Sequence, residues 1–149
     1  MTDCIFCRIV AKTEPAWVVY EDDHHIAFLT PFPNTPGFTV LAPKEHLPSD
    51  VLGLGEKQYL DLLKTAKDLA AILNQKLQTK RTGLIIEGMG VDHAHIKLIP
   101  MHGIDSGDWK PILSDSSEFS ETYNGYLTTH DGPRMSNEAL DAIKNKILA

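Results

Sequence analysis

Two histidines and a lysine alternate along one short segment of the sequence. They belong to the run His93-Ala94-His95-Ile96-Lys97-Leu98-Ile99, which is typical of a β-strand. Side chains alternate between the two faces of a strand, so His93, His95 and Lys97 are expected to share one face. An imidazole is nucleophilic near neutral pH, and a neighbouring cation stabilises negative charge on the group that it attacks. The spacing therefore suits phosphoryl chemistry, and it is equally compatible with the solvated polar face of an ordinary strand.

Cys4 and Cys7 are the only cysteines of the chain, and two residues separate them. This spacing is compatible with half of a zinc site, with a redox pair or with two small buried residues. No second Cys-x-x-Cys is present, so a zinc site would need distant histidines as its other ligands. The available histidines are His24, His25, His46, His93, His102 and His130. Spacing alone favours two buried free thiols.

Hydrophobic patterns predict the elements that position these groups. Strands are predicted at residues 16–20, 25–29, 38–42, 83–87 and 93–99, and the last two are expected to pair antiparallel. A long helix from Glu56 to about Lys80 separates the third and fourth strands, because its apolar residues recur at helical spacing. A C-terminal helix begins at Ser136, an N-cap residue type. The elements predict an α+β fold with a five-stranded sheet covered mainly on one face.

Length and charge favour one globular domain that acts on small molecules. The chain has 149 residues, which is near the usual size of a single domain. Its 20 acidic and 14 basic residues give a net charge of −6 without a basic cluster, which argues against a nucleic-acid polymer as partner. We expect neither a transmembrane span nor a signal peptide. A cytoplasmic location, with reduced thiols, follows from that expectation.

Several motifs spread over residues 4–102 occur in a recognisable order. They are Cys4-Ile5-Phe6-Cys7-Arg8-Ile9-Val10, Tyr20-Glu21-Asp22-Asp23, Ala27-Phe28, Pro36-Gly37-Phe38-Thr39-Val40, Pro43-Lys44-Glu45-His46 and Val91-Asp92-His93-Ala94-His95. In order and spacing they resemble the histidine triad (HIT) superfamily. The resemblance implies a HIT-like fold in a single domain over residues 1–149, with the core motifs in 4–102 and a C-terminal extension in 103–149. It also implies a homodimer.

The same resemblance implies nucleotide chemistry at an α-phosphate. In the family, the middle histidine of the motif attacks phosphorus and forms a nucleotidyl-histidine, and that position here is His95. Lys97 occupies the third motif position, where the family usually has a histidine, and it is expected to stabilise a phosphate oxygen with retained, reduced or redirected activity. The implied nucleotide-binding residues are Phe28, Thr30, Gly88, Met89 and Gly90. Thr30 stands where the family commonly has an acidic residue that holds the ribose hydroxyls.

A structural zinc ion is also implied by the resemblance. Carried over residue by residue, its ligands are Cys4, Cys7, His46 and His93, which match the Cys₂His₂ stoichiometry of a closed structural site. His93 is the first histidine of the motif. A metal bound there would fix the segment that carries His95.

These implications predict an enzyme with a small-molecule nucleotide as its substrate. We expect a nucleotide hydrolase or nucleotidyl transferase that acts on a nucleoside phosphoramidate or a dinucleoside polyphosphate. One alternative is a catalytically weak nucleotide-binding module that keeps the pocket with an altered triad. Another is a zinc-stabilised interaction protein without a nucleotide partner. The spacing assigns no role to the extension, which includes His130 and Arg134.

Overall fold

The computed structural model describes residues 4–112, 119, 121–122 and 136–139. Contacts divide the chain into two compact units, Met1–Trp109 and Lys110–Ala149. The first unit contains the predicted sheet, the long helix and every proposed site residue. A single domain over residues 1–149 stays a prediction.

The first unit is built around one antiparallel sheet. Its elements are α1 (Ile5–Val10), β1 (Trp17–Glu21), β2 (His25–Leu29), β3 (Thr39–Pro43), a 3₁₀ turn (Val51–Gly53), α2 (Glu56–Leu77), β4 (Thr82–Ile85) and β5 (Ile96–Pro100). The strand order is β1-β2-β3-β5-β4, and every neighbouring pair is antiparallel. The predicted α+β fold, with a long helix between the third and fourth strands, is confirmed.

Helix α2 covers one face of the sheet. Its buried residues Leu62, Leu69 and Leu73 recur at helical spacing and pack in one cluster with Leu41 of β3 and Leu98 of β5. Each such side chain contributes about 1.5–3 kcal/mol when it is fully buried. This packing fixes the two strands from which the site is built.

Helix α2 ends three residues before the predicted end at Lys80. Its C-cap residue, Gln78, has a φ of 54° and a ψ of 40°, which is the left-handed conformation. A residue in that conformation interrupts the helical hydrogen bonds, as C-terminal capping residues commonly do. The sequence did not reveal this helix end, because the usual signal for a left-handed C-terminal cap is a glycine and residue 78 is a glutamine.

The opposite face of the sheet carries α1, which the sequence patterns did not predict. Phe6 and Ile9 of this helix are buried in a cluster with Ile26, Phe28 and Val40 of the sheet. Six residues are too few to show a helical period, and so short a helix depends on tertiary packing for its stability. Helix α1 thereby brings the N-terminal cysteines against the sheet.

Strand β5 begins at Ile96, so the predicted strand start at His93 is wrong. His93 lies in a bend, and Ala94 follows it outside the strand, where the Ala94 N–H donates to the Leu47 carbonyl at 2.9 Å. That hydrogen bond ties the backbone to a loop instead of to a neighbouring strand. Lys97 does lie in β5, as predicted.

The predicted C-terminal helix lies mostly outside the described residues. Residues 137–139 are helical, and Ser136 Oγ accepts a hydrogen bond from the Ala139 N–H at 3.2 Å, as an N-cap does. Also outside the described part are Leu140, Ile143, Ile147 and Leu148, together with His130 and Arg134. No helix among the described residues is both long and apolar enough to cross a bilayer.

Candidate active site and metal centre

Four side chains from three segments meet beside α1. Cys4 is the N-cap of α1 and Cys7 lies within it, whereas His46 follows β3 and His93 precedes β5. Cys7 Sγ lies 3.3 Å from His46 Nδ1 and 3.6 Å from His93 Nδ1. Cys4 Sγ lies 3.5 Å from His93 Nδ1. Two cysteines about one helical turn apart therefore face two imidazoles.

This Cys/His cluster has the dimensions of a tetrahedral metal site. The four ligand atoms lie within 4.8 Å of one another, and no other group of three or more His, Cys, Asp or Glu residues in the described part of the chain has such an arrangement. Bonds of about 2.3 Å to sulfur and about 2.05 Å to nitrogen give tetrahedral sulfur–nitrogen edges of about 3.6 Å. The sulfur–nitrogen distances of 3.3–3.6 Å match that edge.

The protonation of His93 also suits a metal ligand. Its Nε2 lies 2.8 Å from the Pro43 carbonyl oxygen, which can only accept, so Nε2 carries the proton and Nδ1 offers a lone pair to the cluster. Burial lowers the pKa of His93 below its ordinary value. The Pro43 carbonyl opposes this shift, while His46 and His95 add to it. The pKa direction favours the neutral imidazole, which is the form that binds metals.

His95 is held beside this cluster in one tautomer. Its Nδ1 lies 2.7 Å from the carbonyl oxygen of His93, so Nδ1 donates the hydrogen bond and Nε2 keeps its lone pair. The ring of Phe6 meets the rings of both histidines edge to face, with centroids 5.4 Å from His95 and 5.7 Å from His93. His95 is only 3% exposed. A fixed imidazole with an available Nε2 can act as a nucleophile or a base.

Lys97 faces the same side of the sheet as His95. In the sheet register Lys97 lies opposite Val40, which lies opposite Phe28, and directly paired residues project from the same face. Phe6 packs against Phe28 with ring centroids 5.2 Å apart, and it also contacts His95. The expectation that His95 and Lys97 share a face therefore agrees with the packing.

A carboxylate that the sequence analysis did not single out binds Lys97. Lys97 Nζ donates to Glu87 Oε1, and the side chains of the pair are 27% and 11% exposed, respectively. Glu87 ends the predicted fourth strand, whose antiparallel neighbour is the strand of Lys97. The opposite charges of Glu87 and Lys97 on two strands predicted to pair could have indicated this contact. Identifying it also requires the register of the two strands, which the sequence pattern did not give.

The two expected nucleotide-binding residues near β2 differ in exposure. Phe28 is 4% exposed and packs inside the α1 cluster. Thr30, just after β2, is partly buried, and its Oγ1 accepts a hydrogen bond from the Phe32 N–H at 3.2 Å. Phe28 thus supports the face on which His95 lies, and Thr30 lies at the end of the strand.

The other expected nucleotide-binding residues form the connection between β4 and His93. Gly88 and Gly90 have φ values of 70° and 92°, in the left-handed region that favours glycine. A Cβ on Gly88 would lie 2.6 Å from the Ser49 carbonyl oxygen, so no larger residue fits there without movement. Met89, between them, is 54% exposed. This connection leads along the chain to the segment that carries His93 and His95.

The model of the HIT domain family matches residues 11–104. The chain belongs to the HIT domain family. The match includes His46, His93, His95 and Lys97, and it begins after Cys4 and Cys7. The cysteine half of the Cys/His cluster therefore rests on the geometry of this HIT protein.

Relatives of this HIT protein cover most of its length. An uncharacterized HIT-like protein of Borreliella burgdorferi is 36% identical over 117 residues, which are 74% of this chain and 84% of that protein. Adenosine 5′-monophosphoramidase HNT1 of Saccharomyces cerevisiae is 28% identical over 136 residues, covering 87% and 84% of the two chains. A HIT family hydrolase from Clostridium thermocellum has a TM-score of 0.60 at 28% identity, covering 72% of this chain and 96% of its own.

Proposed function

We propose that this HIT protein is an enzyme, a nucleotide hydrolase or nucleotidyl transferase that acts at an α-phosphate with His95 as its nucleophile. The observation that carries the proposal is the 2.7 Å hydrogen bond from Nδ1 to the His93 carbonyl, which leaves Nε2 as the reactive nitrogen. Two relatives support it by name, the yeast adenosine 5′-monophosphoramidase and the clostridial hydrolase.

The proposed reaction has two displacements at phosphorus. Nε2 of His95 attacks the α-phosphorus, a nitrogen–phosphorus bond forms, and the bond to the leaving group breaks with its electron pair on that group. A leaving amine also takes up a proton from solvent. Water, or another acceptor in a transferase, then attacks the phosphorus of the nucleotidyl-histidine, an oxygen–phosphorus bond forms, the nitrogen–phosphorus bond breaks with its electron pair on Nε2, and the attacking group loses its proton to solvent.

The proposed binding set stabilises charge on the phosphate. An ammonium group has three donors, so Lys97 has donors for a phosphate oxygen in addition to the one on Glu87. The amides of Gly88, Met89 and Gly90 are suited to the other non-bridging oxygens. Phe28 and Thr30 complete the proposed nucleotide-binding set.

We also propose that Cys4, Cys7, His46 and His93 hold a structural zinc ion. Two thiolates and two imidazoles at tetrahedral spacing form a donor set that zinc prefers. Four protein ligands leave no open position, so the bound ion would supply structural support. It would tie α1 to the segment that carries His95. We further propose that the protein is cytoplasmic and forms a homodimer.

A specific observation favours a second candidate, a nucleotide-binding module with weak turnover. Lys97, at the third motif position, already forms an ion pair with Glu87. If that pair persists when nucleotide binds, Lys97 offers less stabilisation to the transition state than a cation without a partner would.

Turnover of adenosine 5′-phosphoramidate tests the proposed function. The wild type is expected to release AMP, and His95→Ala is expected to lose at least about a thousandfold in kcat because its nucleophile is gone. AMP should bind both proteins with similar affinity in calorimetry. His24→Ala, which removes an exposed imidazole from the β1–β2 turn, is the matched control and should retain wild-type turnover. Binding without turnover would support the weak module, and a wild type that binds no AMP would contradict both candidates.

A further inference from the structure

The carboxylate of Glu87 lies at the end of β5 that is nearest to His95. Ile85, the last residue of β4, pairs with Lys97, and two further residues along the chain lead to Glu87. The Glu87–Lys97 ion pair holds the lysine side chain toward this end of the sheet. With only 11% of its side chain exposed, Glu87 is largely removed from solvent.

The connection before His95 contains negatively charged side chains and no positively charged lysine or arginine. Between Arg81 and Lys97 the sequence has two carboxylates, Glu87 and Asp92, and no lysine or arginine. The pairing of Glu87 with Lys97 cancels the charge of the cation on this face. Because the carboxylate is shielded from water and salt, its repulsion of a nearby anion is screened less than at the surface.

We infer that Glu87 is a specificity-determining residue that selects substrates with few negative charges, namely nucleoside phosphoramidates over dinucleoside polyphosphates. This inference rests on the proposed function. A phosphoramidate has one ionised oxygen on its phosphorus, and the remaining donors of Lys97 suffice for it. A polyphosphate brings one further charge with each phosphate, and Glu87 repels those charges.

The test compares kcat/KM for adenosine 5′-phosphoramidate and diadenosine tetraphosphate, in buffer without added magnesium, for the wild type and Glu87→Gln. The wild type is expected to prefer the phosphoramidate. Glu87→Gln should shift the ratio of the two kcat/KM values toward the tetraphosphate by about tenfold or more, mainly through KM, because one repulsive charge is removed. Glu87→Asp keeps the charge and should keep the wild-type preference.

Glu21→Gln is the matched control for the change in net charge. Glu21 is also paired with a lysine, Lys44, at 2.8 Å, but it lies on β1, three strands or about 14 Å across the sheet from β5. Its substitution should leave the substrate ratio within about twofold of the wild type. An equal shift in Glu21→Gln and Glu87→Gln would overturn the inference, because overall charge would then explain it.

The remaining outcomes separate this inference from the proposed function. A wild type that prefers the tetraphosphate, or a Glu87→Gln ratio equal to the wild-type ratio, overturns the role of Glu87. Absence of turnover on both substrates overturns the proposed function. If neither substrate is turned over, or if Glu87→Gln does not fold, the affinities of the wild type for AMP and for ATP test whether the site selects against negative charge. ATP binding no tighter than AMP supports charge selection, and ATP binding about tenfold tighter overturns it.

Discussion

The two histidines of the motif differ in which ring nitrogen carries the proton. His93 donates from Nε2 to the Pro43 carbonyl, so its Nδ1 faces the cysteines. His95 donates from Nδ1 to the His93 carbonyl, so its Nε2 is available for chemistry. Backbone acceptors therefore leave different ring nitrogens available in two nearly adjacent residues of one type, which suits the metal-binding role proposed for His93 and the nucleophilic role proposed for His95.

The contribution of Lys97 can be measured by removing its ammonium group. Lys97→Ala should lower kcat/KM by about ten- to a hundredfold, because a hydrogen bond to a charged group is worth about 1.5–3 kcal/mol. Lys97→Arg keeps the charge and should retain more activity than Lys97→Ala. Lys57→Ala removes an exposed lysine that pairs with Asp61 on α2, and it controls for net charge. A Lys97→Ala variant within about twofold of the wild type would show that the ammonium does not assist the reaction.

Residue types and spacing were sufficient to predict His95 and Lys97 as neighbours on one face. They did not predict Glu87 as the partner of Lys97, because that contact depends on how β4 and β5 align. The resemblance to the HIT superfamily implied the four cluster residues, and the structure brings their side chains together. The residue pattern alone had favoured two free thiols for Cys4 and Cys7.

Among the elements, the β1–β2 turn depends on one carboxylate. Asp22 Oδ1 accepts hydrogen bonds from the amides of His24 and His25 at 2.8 and 2.6 Å, and Oδ2 accepts from the Tyr20 hydroxyl at 2.7 Å. Burial opposes ionisation of Asp22, but these hydrogen bonds outweigh it and lower the pKa of Asp22 to about 2.

The lowered pKa of Asp22 gives the turn a defined pH dependence. Its contribution to stability is complete above the unfolded-state pKa of about 3.9 and is lost as pH falls toward 2, because the unfolded chain binds the proton first. Asp22→Asn should cost about 1 kcal/mol at pH 7, after allowance for partial exposure. Urea unfolding from pH 7 to 2.5 should show the difference from the wild type shrinking below pH 4. Asp23→Asn is the control, and a difference that does not change with pH would contradict the account.

Elements with a clear hydrophobic pattern were predictable from the sequence, and elements that depend on tertiary contacts were not. Helix α2 begins at Glu56 as its apolar period predicts, and β2 has its predicted bounds. Helix α1 has too few residues for a period, and the start of β5 is set by the hydrogen bond from Ala94 to Leu47, a long-range contact. Tertiary contacts of this kind are absent from a local sequence pattern.

At the scale of the whole first unit, the Cys/His cluster joins distant parts of the chain. Cys4 and His93 are 89 residues apart in sequence, yet their side chains lie 3.5 Å apart. A metal ion that crosslinks such a long loop reduces the entropy of the unfolded chain, and its binding energy becomes folding energy. A metal ion held by the cluster would couple the position of α1 to that of His95.

The metal content of the protein and the effect of removing one proposed zinc ligand test this coupling. Protein purified without chelator should contain one zinc ion per chain by elemental analysis. Cys4→Ala should lower the free energy of unfolding by about 3 kcal/mol or more and increase amide exchange in α1, because one ligand of the crosslink is lost. His102→Ala, which removes an exposed imidazole, should retain the metal. Metal-free wild type with full stability and two freely titrating thiols would exclude the site.

The account depends most directly on a covalent bond between His95 and phosphorus. Rapid quench into alkali, after mixing with adenosine 5′-phosphoramidate labelled at phosphorus, would preserve a nucleotidyl-histidine. We expect label on the wild-type chain that is stable in base and released by acid, and no label on His95→Ala. Turnover by the wild type without label on the protein, at times shorter than one catalytic cycle, would contradict the account and indicate direct attack by water.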